Sequence, residues 1–379
     1  GQGPRTAAFE RAFAEAEGAA HAVATSSCTA ALHLGVASLG AGPGDAVLVP
    51  THAWVSVAEA VAAEGAVPVL VDCRAADQMI DLADAAEKLR RAEAGALPGA
   101  GGRPLRVRGM IAVYYGGLIP DEAALAAFAA HHGLWWIADA AHAFTADRQD
   151  TGGQWMPCGS GAADLYSYSF YPNKTITTGD GGMILTRDRD RADALARMRN
   201  HGLSADAWTA ERLPGWDRQV MGRGFKYTMT DLEAALGLAQ LGKARAMRTR
   251  RAAIAAAYGA GLAGLPGLGL PVEPAGRRSS WHLYPVRLPG GVERDAVLAA
   301  LAAAGVDARV HWRPLHLQPH FAGLGWRAAD CPVSCESWLR LVSLPIFPSM
   351  SEAQVAQVIT ALSAALAEQA LPPRRSAAR

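Results

Sequence analysis

One lysine in this chain stands where a lysine can do chemistry. Lys174 comes after an apolar, β-prone run, Ala163 to Phe170, and a Pro-containing turn; the Gly-rich stretch Thr178-Gly179-Asp180-Gly181-Gly182 follows it and leads into Met183-Ile184-Leu185-Thr186. Its amine therefore belongs at a strand end, where α/β proteins gather their chemistry. In a partly dry pocket a lysine loses its proton and attacks carbonyls. In water it stays a charged loop residue, which is the ordinary state of a lysine. The surroundings decide between the two. Trp54 lies four residues past Pro50, Tyr115 ends the strand-like run Gly109 to Tyr115, Asp139 and His142 follow Trp135 to Ala138, and Ser169 stands just ahead of Lys174. In an open α/β sheet the carboxyl ends of the strands share one crevice, so these side chains converge. Ser27, Cys28 and Thr29 open a helical pattern, Ala30 to Val36, whose free N–H groups can hold an anion with the helix dipole helping; a plain N-cap explains Ser27 and Thr29 equally well.

A lysine and an aspartate at neighbouring strand ends, an aromatic shelf and an anion-binding helix start are the parts a pyridoxal phosphate (PLP) site requires. The lysine holds the cofactor as a Schiff base, the carboxylate keeps the pyridine nitrogen protonated, and the helix start takes the phosphate.

The elements that must position these groups alternate. Val47 to Val49, Val67 to Val71, Gly109 to Tyr115 and Leu134 to Ala138 read as strands; Arg5 to Glu17, Val55 to Glu64, Leu82 to Arg91 and Glu122 to His131 read as helices. Short apolar runs between helices indicate an α/β fold with a mostly parallel central sheet covered by helices. Residues 92–104, rich in Gly, Ala and Pro, read as a flexible surface excursion. Further on, Arg191 to Arg199 reads as a helix, and Trp208 to Arg223 is a polar excursion with little periodicity. Thr230 and Glu233 are spaced as a capping box for a helix over Asp231 to Leu241. The helix Ala244 to Leu262 then carries the chain from a large domain, residues 1–243, into a smaller α+β domain, residues 244–379. There the strands are Leu283 to Leu288, Ala308 to Trp312 and Leu341 to Leu344, and the helices Glu293 to Ala304 and Glu352 to Glu368; the tail from about Pro372 is expected to be disordered.

Composition bounds the function. The 379 residues carry a formal charge of +1, which supplies no field for nucleic acid. No apolar run reaches the length of a membrane span, and the five cysteines are scattered and odd in number, as reduced thiols are. The expectation is a cytoplasmic protein without nucleic-acid or membrane partners.

Several of these stretches together resemble the DegT/DnrJ/EryC1/StrS aminotransferases, PLP enzymes of fold-type I that act mostly on keto-sugars. The matching pieces are Phe9-Glu10, Ser26 to Leu34, Gly42-Pro43-Gly44-Asp45, Asp139 to Ala143, Ser169 to Gly182 and Thr230 to Leu241. Each is weak alone; their order and spacing are specific. The resemblance implies that Lys174 is the Schiff-base lysine, Asp139 the pyridinium partner and Trp54 the residue stacked on the ring, with Ser169, Cys28 and Thr29 in the phosphate-binding places. Relatives with histidine for the lysine catalyse dehydration, so Lys174 points to transamination. Cys28 replaces the usual glycine, and His142 stands where many members have glutamine. Lys226 falls where many relatives place an asparagine that reaches the partner subunit's phosphate, which implies a homodimer. Tyr115 and His311 are expected near the substrate. The chain opens about where the family's Gly-Pro motif stands, so a helical segment present in relatives is expected ahead of it.

The resemblance further implies an amino donor such as glutamate or glutamine and, from the stretches Thr175 to Gly182 and Asn200 to Ser204, a nucleotide-linked 4-keto-6-deoxy sugar as acceptor. An aminocyclitol ketone is the rival acceptor, and a non-catalytic partner subunit the rival class; the latter would show erosion of Lys174 or Asp139, and both are present. His311, His316, His320, Cys331 and Cys335 invite a zinc reading, but their spacing matches no familiar short knuckle and prolines break any helix that would align the histidines, so no metal is expected.

Overall fold

A computed structural model describes residues 2–204 and 219–370. Most of the excursion expected over Trp208 to Arg223, and the tail from Pro372, lie outside the described residues.

Seven strands form the central sheet, in the order β1 (His21–Thr25), β9 (Gly182–Thr186), β8 (Leu165–Ser169), β5 (Trp135–Asp139), β4 (Arg106–Val113), β2 (Asp45–Pro50) and β3 (Val67–Val71). All run in one direction except β9, which is antiparallel to both its neighbours. Val47, Leu48, Val49, Ile111, Ile137 and Leu165 are fully buried, which is why these strands read as continuous apolar runs without alternation. A small sheet of β6 (Asp147–Gln149), β7 (Trp155–Pro157) and β10 (Arg277–Arg278) and a ribbon of β11 (Tyr284–Arg287) and β12 (Leu341–Leu344) complete the strands among the described residues.

The parallel direction puts the carboxyl ends of β5 and β8 side by side, with Asp139 paired to Ser167. The helix Pro4–Glu17 buttresses that end from below: Phe9 and Phe13 are fully buried, and their rings lie 5.2 and 5.3 Å from Phe170, the residue after β8. The helix starts on a proline, which needs no N–H partner there, and stops at Gly18, whose φ of 64° lets its N–H turn back to Ala14 and Glu15.

Helix Cys28–Ser38 is capped by Ser27, whose Oγ accepts the Ala30 N–H at 3.1 Å. The start of β9 passes so close to it that a Cβ at Gly182 would lie 2.5 Å from the Ser27 carbonyl; only glycine permits the approach. Helix Asp231–Leu241 carries the capping box expected of Thr230 and Glu233.

Apolar packing forms two main clusters. One surrounds the seven-stranded sheet; the other joins helices Ala244–Leu262, Arg294–Ala303 and Glu352–Ala370 with β11 and β12 through Ile254, Tyr258, Val286, Leu301, Val342 and Leu362. Leu315, Phe321 and Trp326 belong to the first cluster although they lie far along the chain.

Three local expectations are corrected. Residues 308–312 form no strand; only Arg309 makes an isolated bridge, to Ser343. Strand β4 ends at Val113, and Tyr115 opens a short 3-10 turn, Tyr115–Gly117. The stretch 92–104 is anchored, with Leu97 and Ala100 buried and the Gly99 N–H donating to the Leu324 carbonyl at 3.1 Å.

Candidate active site

A cavity of about 530 Å³ opens at the carboxyl ends of β5 and β8. Lys174, Asp139, His142 and Ser169 line it, Cys28 and Thr29 enter from the helix start, and Trp54 and His311 complete the wall. These residues come from positions 28 to 311, gathered because parallel strands end at one edge.

Asp139 is 6% exposed. Its Oδ1 accepts the Ala141 N–H at 3.1 Å, and the Cys28 thiol lies 4.0 Å from the same oxygen. Burial pushes the carboxyl up to about 6, opposed by that N–H and by the Lys174 charge. Lys174 is half-buried; burial lowers the pKa of its amine, opposed by Cys28 and Asp139. Burial, then the charge of Asp139, pushes the Cys28 thiol well up, so it stays a neutral thiol. A buried anion faces an amine that can lose its proton.

His142 is buried; its Nδ1 accepts the Gly116 N–H at 3.3 Å, which leaves the ring proton on Nε2. Burial first, then Lys174, holds it well below the usual imidazole range. His311 is clamped by its surroundings: its carbonyl accepts from the Tyr115 hydroxyl at 2.8 Å and from His52 Nε2 at 3.0 Å, while its Nδ1 pairs with Ser343 Oγ at 2.8 Å. Trp54 is 59% exposed and lies at the mouth, its ring centroid 6.4 Å from that of Trp312.

Two expected residues lie elsewhere. Tyr115 does not line this cavity; it is buried, its hydroxyl is taken by the His311 carbonyl, and it faces a separate cavity of about 120 Å³. Lys226 is exposed and outside the cavity of its own chain, although the Ser26 N–H donates to the neighbouring Tyr227 carbonyl at 2.8 Å. The lining residues not singled out from sequence include His282, Trp312 and Asp180. Asp180 had been visible only as part of the Gly-rich stretch. For His282 the one local signal is the polar run Ser279-Ser280 ahead of an apolar strand.

The donor set fits PLP. A buried carboxylate at a strand end suits a ring nitrogen, the amine of Lys174 suits the aldehyde carbon, and free N–H groups at Cys28 and Thr29 with the Ser169 hydroxyl suit a phosphate. His316, from the zinc reading, is bonded instead to Thr51 Oγ1 at 2.6 Å and Cys335 Sγ at 3.1 Å.

Residues 1–363 match the profile of the DegT/DnrJ/EryC1/StrS aminotransferase family. The chain is 36% identical over 368 residues to the spore coat polysaccharide biosynthesis protein SpsC of Bacillus subtilis (strain 168), covering 95% of this chain and 89% of that protein. Its fold is similar to DesV of S. venezuelae at 31% identity, with a TM-score of 0.84 and coverage of 98% and 91%. The PLP form of Spr1654 from Streptococcus pneumoniae is similar at 25% identity, with a TM-score of 0.85 and coverage of 98% and 93%.

Proposed function

We propose, from the premise that this chain belongs to the DegT/DnrJ/EryC1/StrS aminotransferase family and is a PLP-dependent sugar aminotransferase, that it moves an amino group from glutamate or glutamine to the ketone of a nucleotide-linked 4-keto-6-deoxy sugar. The observation that carries the reading is the pair Lys174 and Asp139 on one cavity, the amine's proton loosened by burial and the carboxylate buried behind Cys28. Similarity to a protein of spore coat polysaccharide biosynthesis supports a sugar acceptor.

When bound, PLP supplies the electron sink and carries the amino group between the two half-reactions. Asp139 holds positive charge at the ring nitrogen, its ionised form favoured by the cation it faces. Lys174 takes a proton from the donor's α-carbon and returns one at the sugar carbon that receives nitrogen, a task suited to an amine whose pKa burial has lowered. Ser169 and the N–H groups of Cys28 and Thr29 would bind the phosphate, Trp54 would pack on the ring, and the His142 imidazole would orient the ring by packing against it.

We assign residues 1–243 to a cofactor-binding domain and those from 244 to a smaller one, supported by the two apolar clusters, although Leu315, Phe321 and Trp326 pack into the core of the first. We propose a homodimer, supported by the exposed apolar residues Leu232 and Leu236 on helix Asp231–Leu241 and by exposed Val220 and Met221, with Lys226 reaching the phosphate of the other subunit. A cytoplasmic location is supported by five unpaired cysteines, and no helix among the described residues is long and apolar enough to cross a membrane.

The test is to load the protein with pyridoxamine phosphate and mix it with a panel of nucleotide-linked keto-sugars and aminocyclitol ketones. Return of the PLP absorption band with a 4-keto-6-deoxy sugar supports the proposal; return only with a cyclitol ketone overturns the acceptor, and no return with any ketone overturns the reaction.

A further inference from the structure

His282 takes part in none of the steps above, yet it lies on the wall of the same cavity as Lys174. It is 6% exposed, and its Nδ1 is buried with no hydrogen-bond partner among the described residues. That nitrogen has no surface open to a ligand, so Nε2, which has no bond to the described residues, is the one a ligand in the cavity can meet.

The chain around His282 is fastened in place. The Ser280 N–H donates to the Gly117 carbonyl at 3.0 Å, and the Leu283 N–H to the Gly116 carbonyl at 3.2 Å. Between them Trp281 adopts φ of 52°, a conformation that a bulky side chain rarely takes. Its carbonyl is held by Arg251 Nη1 at 3.0 Å. At Gly117, with φ of 98°, an added Cβ would fall 1.9 Å from Ser280 Oγ, so the turn admits this docking only as glycine. The strained docking fixes His282 with its ring centroid 4.2 Å from that of His142.

The two imidazoles offer different chemistry. His142 Nδ1 is taken by the Gly116 N–H, which leaves His142 Nε2–H as a donor. His282 has no partner among the described residues that fixes its tautomer, so its Nε2 is free to accept. Burial, followed by the Lys174 charge, disfavours protonation of both. A neutral donor beside a neutral acceptor matches a hydroxyl, which gives one hydrogen bond and takes one; a carboxylate would only accept and an ammonium only donate.

We infer that His282, paired with His142, hydrogen-bonds a ring hydroxyl of the sugar acceptor and so selects for its presence. The inference rests on the proposed transamination of a keto-sugar. His282 acts on the acceptor and not on the amino donor, so the two half-reactions separate its role from that of the cofactor site.

The probes are thymidine and uridine diphosphate 4-keto-6-deoxyhexoses with their 2-deoxy and 3-deoxy analogues, and the 4-hydroxy sugars for calorimetric binding to the loaded protein. In His282→Phe the acceptor KM rises and hydroxy-sugar affinity falls, each by about tenfold, the worth of one neutral hydrogen bond. The spectral change on adding glutamate stays within about twofold. One deoxy analogue loses a comparable factor with the unaltered protein and is insensitive to His282→Phe; His282→Asn recovers part of the affinity. A donor half-reaction that falls with the acceptor half-reaction, or a loss in His282→Phe that is the same for every analogue, overturns the inference. Thermal melts establish that each variant folds, and if His282→Phe does not, the same comparison is read in His282→Asn. If no keto-sugar is aminated by the unaltered protein, the proposed function has failed and the inference falls with it.

Discussion

The Cys28 thiol stands 4.0 Å from Oδ1 of Asp139, joining the start of a helix to the end of a strand across the cofactor cavity. In the proposed phosphate site this position would contribute its backbone N–H, which glycine offers as well. Cys28→Gly is expected to hold PLP within about threefold of the unaltered protein, a change near the few tenths of a kcal/mol typical when glycine replaces a capping residue. Absorbance titration measures this. A loss beyond tenfold would show that the side chain itself binds.

Asp139→Asn is expected to keep the fold and most of the cofactor affinity while turnover drops by orders of magnitude, because a neutral amide cannot hold charge at the ring nitrogen. Burial raises the carboxyl to about 6, so as pH drops through about 6 and Asp139 takes up its proton, PLP affinity should fall by no more than the small factor lost in Asp139→Asn. In Asp139→Asn that acid limb should vanish. Retention of the limb would move the titration to another group.

Borohydride reduction of the PLP-loaded protein, followed by peptide mapping, is expected to place the pyridoxyl label on Lys174. The residue is the lysine of the cavity wall, its charge opposed by burial. A label on another lysine would sink the assignment.

Glu17 gives a pH dependence of stability that is independent of the active site. It is 1% exposed, accepts the Gly159 N–H at 2.9 Å and the Tyr168 hydroxyl at 2.6 Å, and is raised from 4.5 to about 7, chiefly by burial. The folded pKa exceeds the unfolded one, so the stabilising contribution is complete below about 4.5 and is lost as pH rises through about 7. The shift corresponds to about 3 kcal/mol as an upper bound. Glu17→Gln keeps the acceptor oxygen and removes the titration; its denaturation midpoint should fall less between pH 5 and pH 8 than that of the unaltered protein. Parallel curves would refute this.

Mixing Lys174→Ala with Lys226→Ala chains tests whether Lys226 serves the other subunit. If it does, the mixed dimer collects both lesions in one site, leaves the other intact and recovers activity. With Lys226→Ala strongly impaired alone and heterodimers verified, no recovery counts against the trans role. Leu232→Asp, altering a residue that is 86% exposed, should shift the protein toward monomer in light scattering.

Local signals in the sequence carried much of this protein. The capping box at Thr230 and Glu233 set the start of helix Asp231–Leu241, the Ala-rich run set Ala244–Leu262, and continuous apolar runs marked the parallel strands, because caps and periodicity act within a turn or a pleat. The same order of elements put Lys174, Asp139, His142 and Ser169 at strand ends, and the shared edge of a parallel sheet brings such ends to one cavity. Contacts made late along the chain were not legible. Tyr115 was drawn away from the cavity to the His311 carbonyl, Leu315, Phe321 and Trp326 joined the core of the large sheet, and His282 reached the cavity through backbone bonds to Gly116 and Gly117. Those placements depend on which surfaces meet after the helices and strands have packed; the residues involved lie more than a hundred positions apart, and no periodicity links them, so only the tertiary structure decided them.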